Sequence, residues 1–139
     1  MVGIDIWKDE SVLYNAYHDK TGITEKFIKN VLTRLNRDLH AGFDVDFFEY
    51  NVVVSPVNHR VEMYLKSLRE QTVPIVYRGQ RHELQFHAGE HVLVEYSHKY
   101  TTEEIRALSD QSGMPLLHSF RNAFFSLSVF GQRNGPAAG

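Results

Sequence analysis

The sequence contains no cysteine, no long apolar run and no excess of charge of one sign. Without cysteine, both a disulfide framework and a zinc site built on thiolates are excluded. No apolar run approaches the ~20 residues needed to cross a bilayer. The 15 basic and 17 acidic side chains are interspersed and give a formal net charge of -2. We therefore expect no surface for nucleic acid or for an anionic membrane.

The sequence has enough apolar material for one folded unit. Its 139 residues are 42% hydrophobic and 12% aromatic, which suits a single domain of ordinary size and excludes general disorder. The first nine residues lack the basic and apolar regions of a signal peptide, so we expect a cytoplasmic protein. The terminal segment 132–139 is predicted to be a disordered tail.

Three segments have helical patterning. Apolar residues within 12–17 predict a short helix. A longer amphipathic stripe over 27–39 predicts a second helix, for which Thr24 is the candidate N-cap. Thr101 and Glu104 have the spacing of a capping box and predict the start of a third helix.

Between the second and third helices the apolar period changes to two, which predicts strands. The runs are 47–54, 60–66, 73–77, 83–86 and 91–98, and they suggest an antiparallel meander. In the last run, strict alternation places Leu93, Glu95 and Ser97 on one face. Further strands are predicted at 2–7, 116–120 and 124–130. The expected fold class is α+β.

Few residues suggest bond-breaking chemistry. His82, His87 and His91 could converge on a metal ion, but their spacing matches no ligand pattern, so we interpret them as surface histidines. Glu95 and Ser97 lie two apart in a strand and therefore project from one face. Together they could bind a small ligand that carries N–H groups, although an ordinary solvent-facing position is the alternative interpretation.

Several segments match one family in order and spacing. They are GIDIWKD at 3–9, AYHD at 16–19, GIT at 22–24, Phe27, NVLTRLNRDL at 30–39, FDVD at 43–46, VEMYL at 61–65, QTV at 71–73, AGE at 88–90 and EYSHKY at 95–100. This set resembles the C-terminal half of the histidine-specific, S-adenosylmethionine-dependent N-alpha-methyltransferases of ergothioneine biosynthesis. The resemblance extends from residue 2 to about residue 130.

The resemblance implies a class I (Rossmann-like) methyltransferase core that is only partly present. Residues 1–9 and 100–131 would supply its fifth strand, its last helix and its final two strands. Residues 10–99 would be an antiparallel-strand substrate-binding domain with helices, inserted between the last strands of that core. The strands that bind the methyl donor S-adenosylmethionine would precede Met1. The chain alone is therefore expected to be inactive and to self-associate through exposed core strands.

The resemblance also implies a binding site for histidine. The counterpart of Tyr17 would hold the backbone end of the amino acid, and the counterparts of Met63, Glu95 and Ser97 would form the imidazole pocket. Methyl transfer to the alpha-amine relies on positioning and desolvation, so no catalytic residue and no metal site is assigned. The donor-binding residues are unknown. Two alternatives are a relative that methylates another amino acid, such as a tryptophan derivative, and a non-catalytic amino-acid-binding remnant.

Overall fold

The computed structural model describes residues 1–132, which form helices and small antiparallel sheets. The helices in this part of the chain are α1 (Glu10–Tyr17), α2 (Ile23–Asp38) and α3 (Thr102–Ser112), with a short 3₁₀ helix at Val45–Phe47. The strands are β1 (Val2–Asp5), β2 (Phe48–Ser55), β3 (Arg60–Ser67), β4 (Gln71–Tyr77), β5 (Gln80–Phe86), β6 (His91–His98), β7 (Leu116–Arg121) and β8 (Phe125–Phe130). The α+β class is confirmed. The predicted tail, apart from residue 132, lies outside the described residues.

The larger core lies between the helices α1 and α2 and the sheet β2–β3–β6. Strand β3 is the central strand, and alternate residues of β2 and β3 point toward the helices. The buried members of this core come from α2, β2, β3 and the segments beside them: Ile28, Leu32, Phe43, Phe48, Tyr50, Met63, Leu65 and Val73. Burial of this apolar face holds the helices on the sheet, because removing such surface from water is the main favourable term in folding.

The predicted antiparallel meander is wrong in the pairing of its middle strands. Strands β4 and β5 form a separate two-stranded ribbon, and β6 pairs with β3 instead of with β5. Two backbone hydrogen bonds explain this arrangement: Ser67 N donates to the carbonyl of Glu90 at 2.8 Å, and Gly89 N donates to the carbonyl of Ser67 at 2.7 Å. These bonds bring the end of β3 next to the residues that precede β6. The intervening hairpin therefore projects beside the sheet.

The start of α2 also differs from the prediction. The helix begins at Ile23 with Gly22 as the N-cap, in a left-handed conformation (φ 67°) that glycine adopts readily. The carboxylate of Asp19 accepts hydrogen bonds from the backbone N–H groups of Ile23 at 3.0 Å and Thr24 at 2.9 Å. A side chain outside the helix therefore caps the N–H groups of its first turn. Phe27 is 67% exposed and lies outside the buried stripe.

A second, smaller group of elements contains the sheet β1–β8–β7 and α3. Ile4, Ile6 and Ile105 form its buried centre. The capping box of Thr101 and Glu104 is confirmed, with both reciprocal hydrogen bonds present. No helix within residues 1–132 is long and apolar enough to cross a membrane.

The two groups meet where the chain leaves the small sheet and where it returns. Ile6 and Tyr100 form a parallel bridge, and the backbone N–H of Trp7 donates to the carbonyl of Tyr100 at 3.0 Å. The backbone N–H of Tyr100 donates to the carbonyl of Asp5 at 2.9 Å. The segment of residues 7 to 99 therefore leaves the smaller group of elements and returns to it at neighbouring points.

Candidate functional site

The strand register brings three of the four predicted site residues to one face of the sheet. Met63 of β3 lies directly opposite Glu95 of β6, and Val61 lies opposite Ser97. Directly opposed residues share a face, so Met63, Glu95 and Ser97 all face the helices. Met63 is buried at 2% exposure within the large core, whereas Glu95 is exposed and Ser97 is half-buried. An apolar wall thus adjoins an accessible carboxylate and hydroxyl.

A β-bulge in β6 decides where Glu95 lies, and strict alternation along this strand is wrong. Met63 pairs with Glu95 but the next residue, Tyr64, pairs with Leu93, so Val94 has no partner on β3. Val94 packs against the large core, and Leu93 is opposite Tyr64 on the other face. Such a bulge bends one strand and redirects its side chains. Glu95 consequently neighbours Val94 rather than Leu93.

The fourth predicted residue, Tyr17, reaches this face from the last turn of α1. Its hydroxyl donates to Ser97 Oγ at 3.0 Å. The backbone carbonyl of Tyr17 accepts the hydroxyl of Tyr50 at 3.0 Å, which fixes the end of α1 against β2. The structure therefore joins Tyr17 and Ser97 directly and brings Met63 and Glu95 to the same face. Which ligand they bind stays a prediction.

Sequence reasoning missed Lys99, which lies at the centre of this cluster. Lys99 Nζ donates to the Tyr17 hydroxyl at 2.6 Å and to Ser97 Oγ at 2.8 Å, and it forms an ion pair with Asp5 Oδ2 at 2.7 Å. The residue is only 1% exposed, which is unusual for lysine unless its charge is paired. A signal was present, because 95, 97 and 99 continue the same alternation beyond the end of β6.

Asp5 is held in its ionised form. Burial raises the pKa of the Asp5 carboxyl, but the hydrogen bonds from Lys8 and Lys99 together with their positive charges outweigh it, so the net pKa lies below the ordinary value. Lys8 Nζ contacts Asp5 Oδ1 at 2.7 Å, on the other carboxylate oxygen from Lys99. Asp5 therefore pairs with two lysines, one on each oxygen.

Tyr50 is a second residue that sequence reasoning assigned only to a strand. Burial raises the pKa of Tyr50 to about 12, and negative charges at Asp19, Glu25 and Glu95 add to this effect. The hydroxyl is therefore neutral at physiological pH. The site consequently combines hydroxyls and several carboxylates around one buried ammonium group, and the hydroxyls and carboxylates can hold a small zwitterion by hydrogen bonds.

Metal binding has no support in the part of the chain that the structure describes. Residues 1–132 contain no group of three or more histidine, cysteine, aspartate or glutamate side chains placed to hold a metal ion. His87, one of the three histidines that the sequence singled out, instead lies 3.2 Å from the carboxylate of Glu70 on the exposed surface.

Comparison with known proteins identifies the family. The family model described as histidine-specific methyltransferase, SAM-dependent, matches residues 1–131. A histidine N-alpha-methyltransferase of Mycolicibacterium smegmatis is 36% identical over 118 residues, which cover 85% of this chain and 36% of the relative. A protein with the same name from Mycobacterium tuberculosis is 34% identical over 114 residues, covering 82% of this chain and 35% of the relative. The chain thus spans about a third of the length of these curated relatives. It belongs to the S-adenosylmethionine-dependent, histidine-specific methyltransferase family.

Proposed function

We propose that this chain is the part of an S-adenosylmethionine-dependent N-methyltransferase that recognises histidine, and that Tyr17, Met63, Glu95 and Ser97 bind it. One observation carries the proposal: the hydrogen bond from the Tyr17 hydroxyl to Ser97 Oγ, which joins α1 to the sheet face of Glu95. The four residues predicted from the family therefore come from three separate elements and converge. The reaction would be methyl transfer to the alpha-amine, as in the ergothioneine pathway.

Each residue has a role that its chemistry supports. The carboxylate of Glu95 would accept an imidazole N–H, and the Ser97 hydroxyl would bond the other side of the ring. Met63 would contribute a pliable apolar wall, since its unbranched thioether adapts to a flat ring. Tyr17 would hold the backbone end of the amino acid. The reacting amine must approach the donor in line, so the contribution of these residues is orientation rather than proton transfer.

The topology of the smaller sheet supports the division into 1–9, 10–99 and 100–131. Strand β8 lies between β1 and β7 and is antiparallel to both, so the three strands could be the edge of a larger sheet. Within the described residues β1 pairs with no strand other than β8, and its second edge is bonded at its end alone, where the Asp5 carbonyl accepts the backbone N–H of Tyr100. On the face opposite α3, Phe120 and Phe125 are 63% and 52% exposed. We infer that the remainder of a class I core covers this edge and face, and that without it copies of the chain self-associate there.

The described residues do not by themselves fit the methyl donor. In class I folds a glycine-rich turn between a strand and a helix approaches the cofactor closely. In the proposed division β1 is the fifth strand of the core, so the strand that carries this turn is not among the described strands. The turn that follows β1, residues 6–9, contains no glycine. S-adenosylmethionine would supply the electrophilic methyl group, and its binding residues remain to be found outside residues 1–132. The 139-residue chain is therefore expected not to bind S-adenosylmethionine at micromolar concentration.

The test is a titration of the uniformly ¹⁵N-labelled chain with L-histidine. Changes in the backbone amide chemical shifts are the readout. Shifts should concentrate at residues 17, 63, 95 and 97, and tryptophan and glutamine at the same concentrations should produce smaller ones. Shifts scattered over the surface, or larger shifts with tryptophan, would contradict the proposed substrate.

A chimera separates the catalytic proposal from the non-catalytic alternative. In it, residues 1–131 replace the matching segment of the Mycolicibacterium smegmatis relative. Methylation of histidine by the chimera would support the enzymatic role, and histidine binding without methylation would favour an amino-acid-binding remnant. Methylation of a tryptophan derivative in preference to histidine would assign a different amino acid.

A further inference from the structure

Lys99 uses all of its hydrogen-bonding capacity inside the site. The ammonium group has three hydrogens and no lone pair, and its three acceptors are Asp5, Tyr17 and Ser97 at 2.6 to 2.8 Å. Nζ therefore has no hydrogen left for a ligand. Lys99 must act on a ligand through its neighbours, not by direct contact.

Counting hydrogens fixes what those neighbours present. Both hydroxyl oxygens accept from Lys99, so a lone pair on each is already occupied. The two hydroxyls share one further bond, in which Tyr17 donates to Ser97. Ser97 Oγ thus accepts twice, from Lys99 and from Tyr17, and its own hydrogen remains unspent within this cluster. The Ser97 hydroxyl is consequently held as a hydrogen-bond donor toward its surroundings.

We propose that Lys99 is a positioning residue that holds Ser97 as a donor and thereby makes the site select the neutral imidazole form of histidine. The inference rests on the proposed function, because it concerns the same site. A neutral imidazole has one N–H and one bare nitrogen, whereas an imidazolium has two N–H groups and no acceptor. Glu95 matches the N–H, and a donating Ser97 matches only the bare nitrogen.

Glu95 and Ser97 lie on the same strand face with their α-carbons roughly 7 Å apart, since each residue advances a strand by about 3.3 Å. A five-membered ring fits between two such side chains. The Glu95 carboxylate alone would attract a cation. The opposing influence is the buried ammonium of Lys99, 2.8 Å behind Ser97 Oγ, together with the Ser97 hydrogen itself. An imidazolium would direct its second N–H at the Ser97 hydroxyl, which is itself a donor. Because this contact between two donors is unfavourable, the site binds the neutral imidazole instead.

The other charged or titratable groups that face this site come from four elements and one turn. They are Asp5 of β1, Tyr17 of α1, Asp19 of the turn before α2, Glu25 of α2 and Tyr50 of β2. Burial raises the pKa of Asp5, but hydrogen bonds from Lys8 and Lys99 outweigh it and lower the pKa overall. Hydrogen bonds from Thr21, Thr24 and Ile23 lower the pKa of Asp19. Burial raises the pKa of Tyr50 to about 12. Between pH 5.5 and 8, Asp5 and Asp19 therefore stay ionised and Tyr50 stays neutral. His18 and His98 are chain neighbours of Tyr17 and Ser97, so the readout must follow the ligand ring itself.

The decisive variant is Lys99→Met, which keeps the length of the side chain but removes its donors. Asp5 would still pair with Lys8 at 2.7 Å, so no carboxylate is left without a partner and the fold should persist. Lys8→Met is the matched control. It also removes one lysine from Asp5, but Lys8 contacts neither Tyr17 nor Ser97; its other hydrogen bond goes to the carbonyl of Phe124. Ser97→Ala is a second variant that deletes the proposed donor with a minimal change in volume.

The experiment follows ring-¹⁵N-labelled histidine bound to the 139-residue chain from pH 5.5 to 8, at saturating protein. The ring nitrogen shifts report directly whether one or both nitrogens carry a hydrogen. In the parent chain and in Lys8→Met, we expect the ring pKa of bound histidine to fall at least ~1 pH unit below that of the free amino acid, a tenfold preference for the neutral form. In Lys99→Met, the Glu95 carboxylate acts unopposed, so the ring pKa of bound histidine should equal or exceed that of the free amino acid. In Ser97→Ala, which keeps the ammonium but loses the donor, the ring pKa should lie between the values of the parent chain and of Lys99→Met.

Two results would overturn the inference while leaving histidine recognition intact. One is a parent chain that binds the imidazolium form. The other is a folded Lys99→Met variant, verified by its amide spectrum, that retains the parent's ring pKa. If histidine causes no localised shifts at all, the proposed function fails and this inference fails with it.

Discussion

Replacement of Glu95 by Gln tests the proposed recognition of histidine most directly. The side chain is exposed and lies beside the buried Met63, so Gln can occupy the same position without disturbing the core. The change removes the negative charge but keeps the shape. A hydrogen bond to an ionised acceptor contributes about 1.5–3 kcal/mol, which corresponds to a loss of about ten- to 150-fold in affinity. Because water screens an exposed carboxylate, the lower half of that range is expected.

Two further variants calibrate this value. Glu49→Gln changes a carboxylate on the same sheet that points to the opposite face and pairs with Lys66 at 3.1 Å, so histidine affinity should not change. Ser97→Ala should weaken histidine binding by only about two- to thirteen-fold, because a neutral hydrogen bond contributes about 0.5–1.5 kcal/mol. Affinities are measured by calorimetry on the chain and, in the presence of the demethylated donor, on the chimera. Equal affinities for Glu95→Gln and Glu49→Gln would refute the assignment of Glu95.

Two other predictions concern selectivity and acid stability. In the chimera, Met63→Val combined with Glu95→Ala should enlarge the pocket and remove its charge, so tryptophan should gain relative to histidine in methylation assays; an unchanged preference would exclude both residues from the side-chain pocket. Burial raises the pKa of Glu104, but hydrogen bonds from the Thr101 backbone and His59 overcome this and lower it overall. That stabilisation is present above about pH 4.3 and is lost as pH falls. Glu104→Gln should therefore lower Tm at pH 7 more than at pH 3, and equal losses would contradict this.

Local sequence signals predicted much of the secondary structure. The Thr101 to Glu104 capping box was readable because both reciprocal hydrogen bonds form within four residues. The alternation of β3 was equally clear, since one face of that strand is buried throughout. The start of α2 was less readable, because its first N–H groups are satisfied by Asp19, four residues before Ile23.

Long-range pairing is the part that no local pattern specified. The preference of β6 for β3, and the projection of the β4–β5 ribbon, depend on hydrogen bonds between residues 67 and 90, which are far apart in the chain. The bulge at Val94 likewise exists only because β3 lies beside β6. A single strand read by itself gives strict alternation, which assigns Leu93 to the wrong face.

The sequence by itself determined the family, because the family model matches residues 1–131, and it supplied the residue types of the proposed site. Only the tertiary structure decided how those residues act together. Lys99 is an ordinary cation in the sequence, and its role depends on Asp5 and Tyr17, which are 94 and 82 residues away. The reason is burial. Because Lys99 is only 1% exposed, its ammonium group cannot bond to water and must place all three of its hydrogens on protein acceptors. The direction in which Ser97 can donate follows from that constraint.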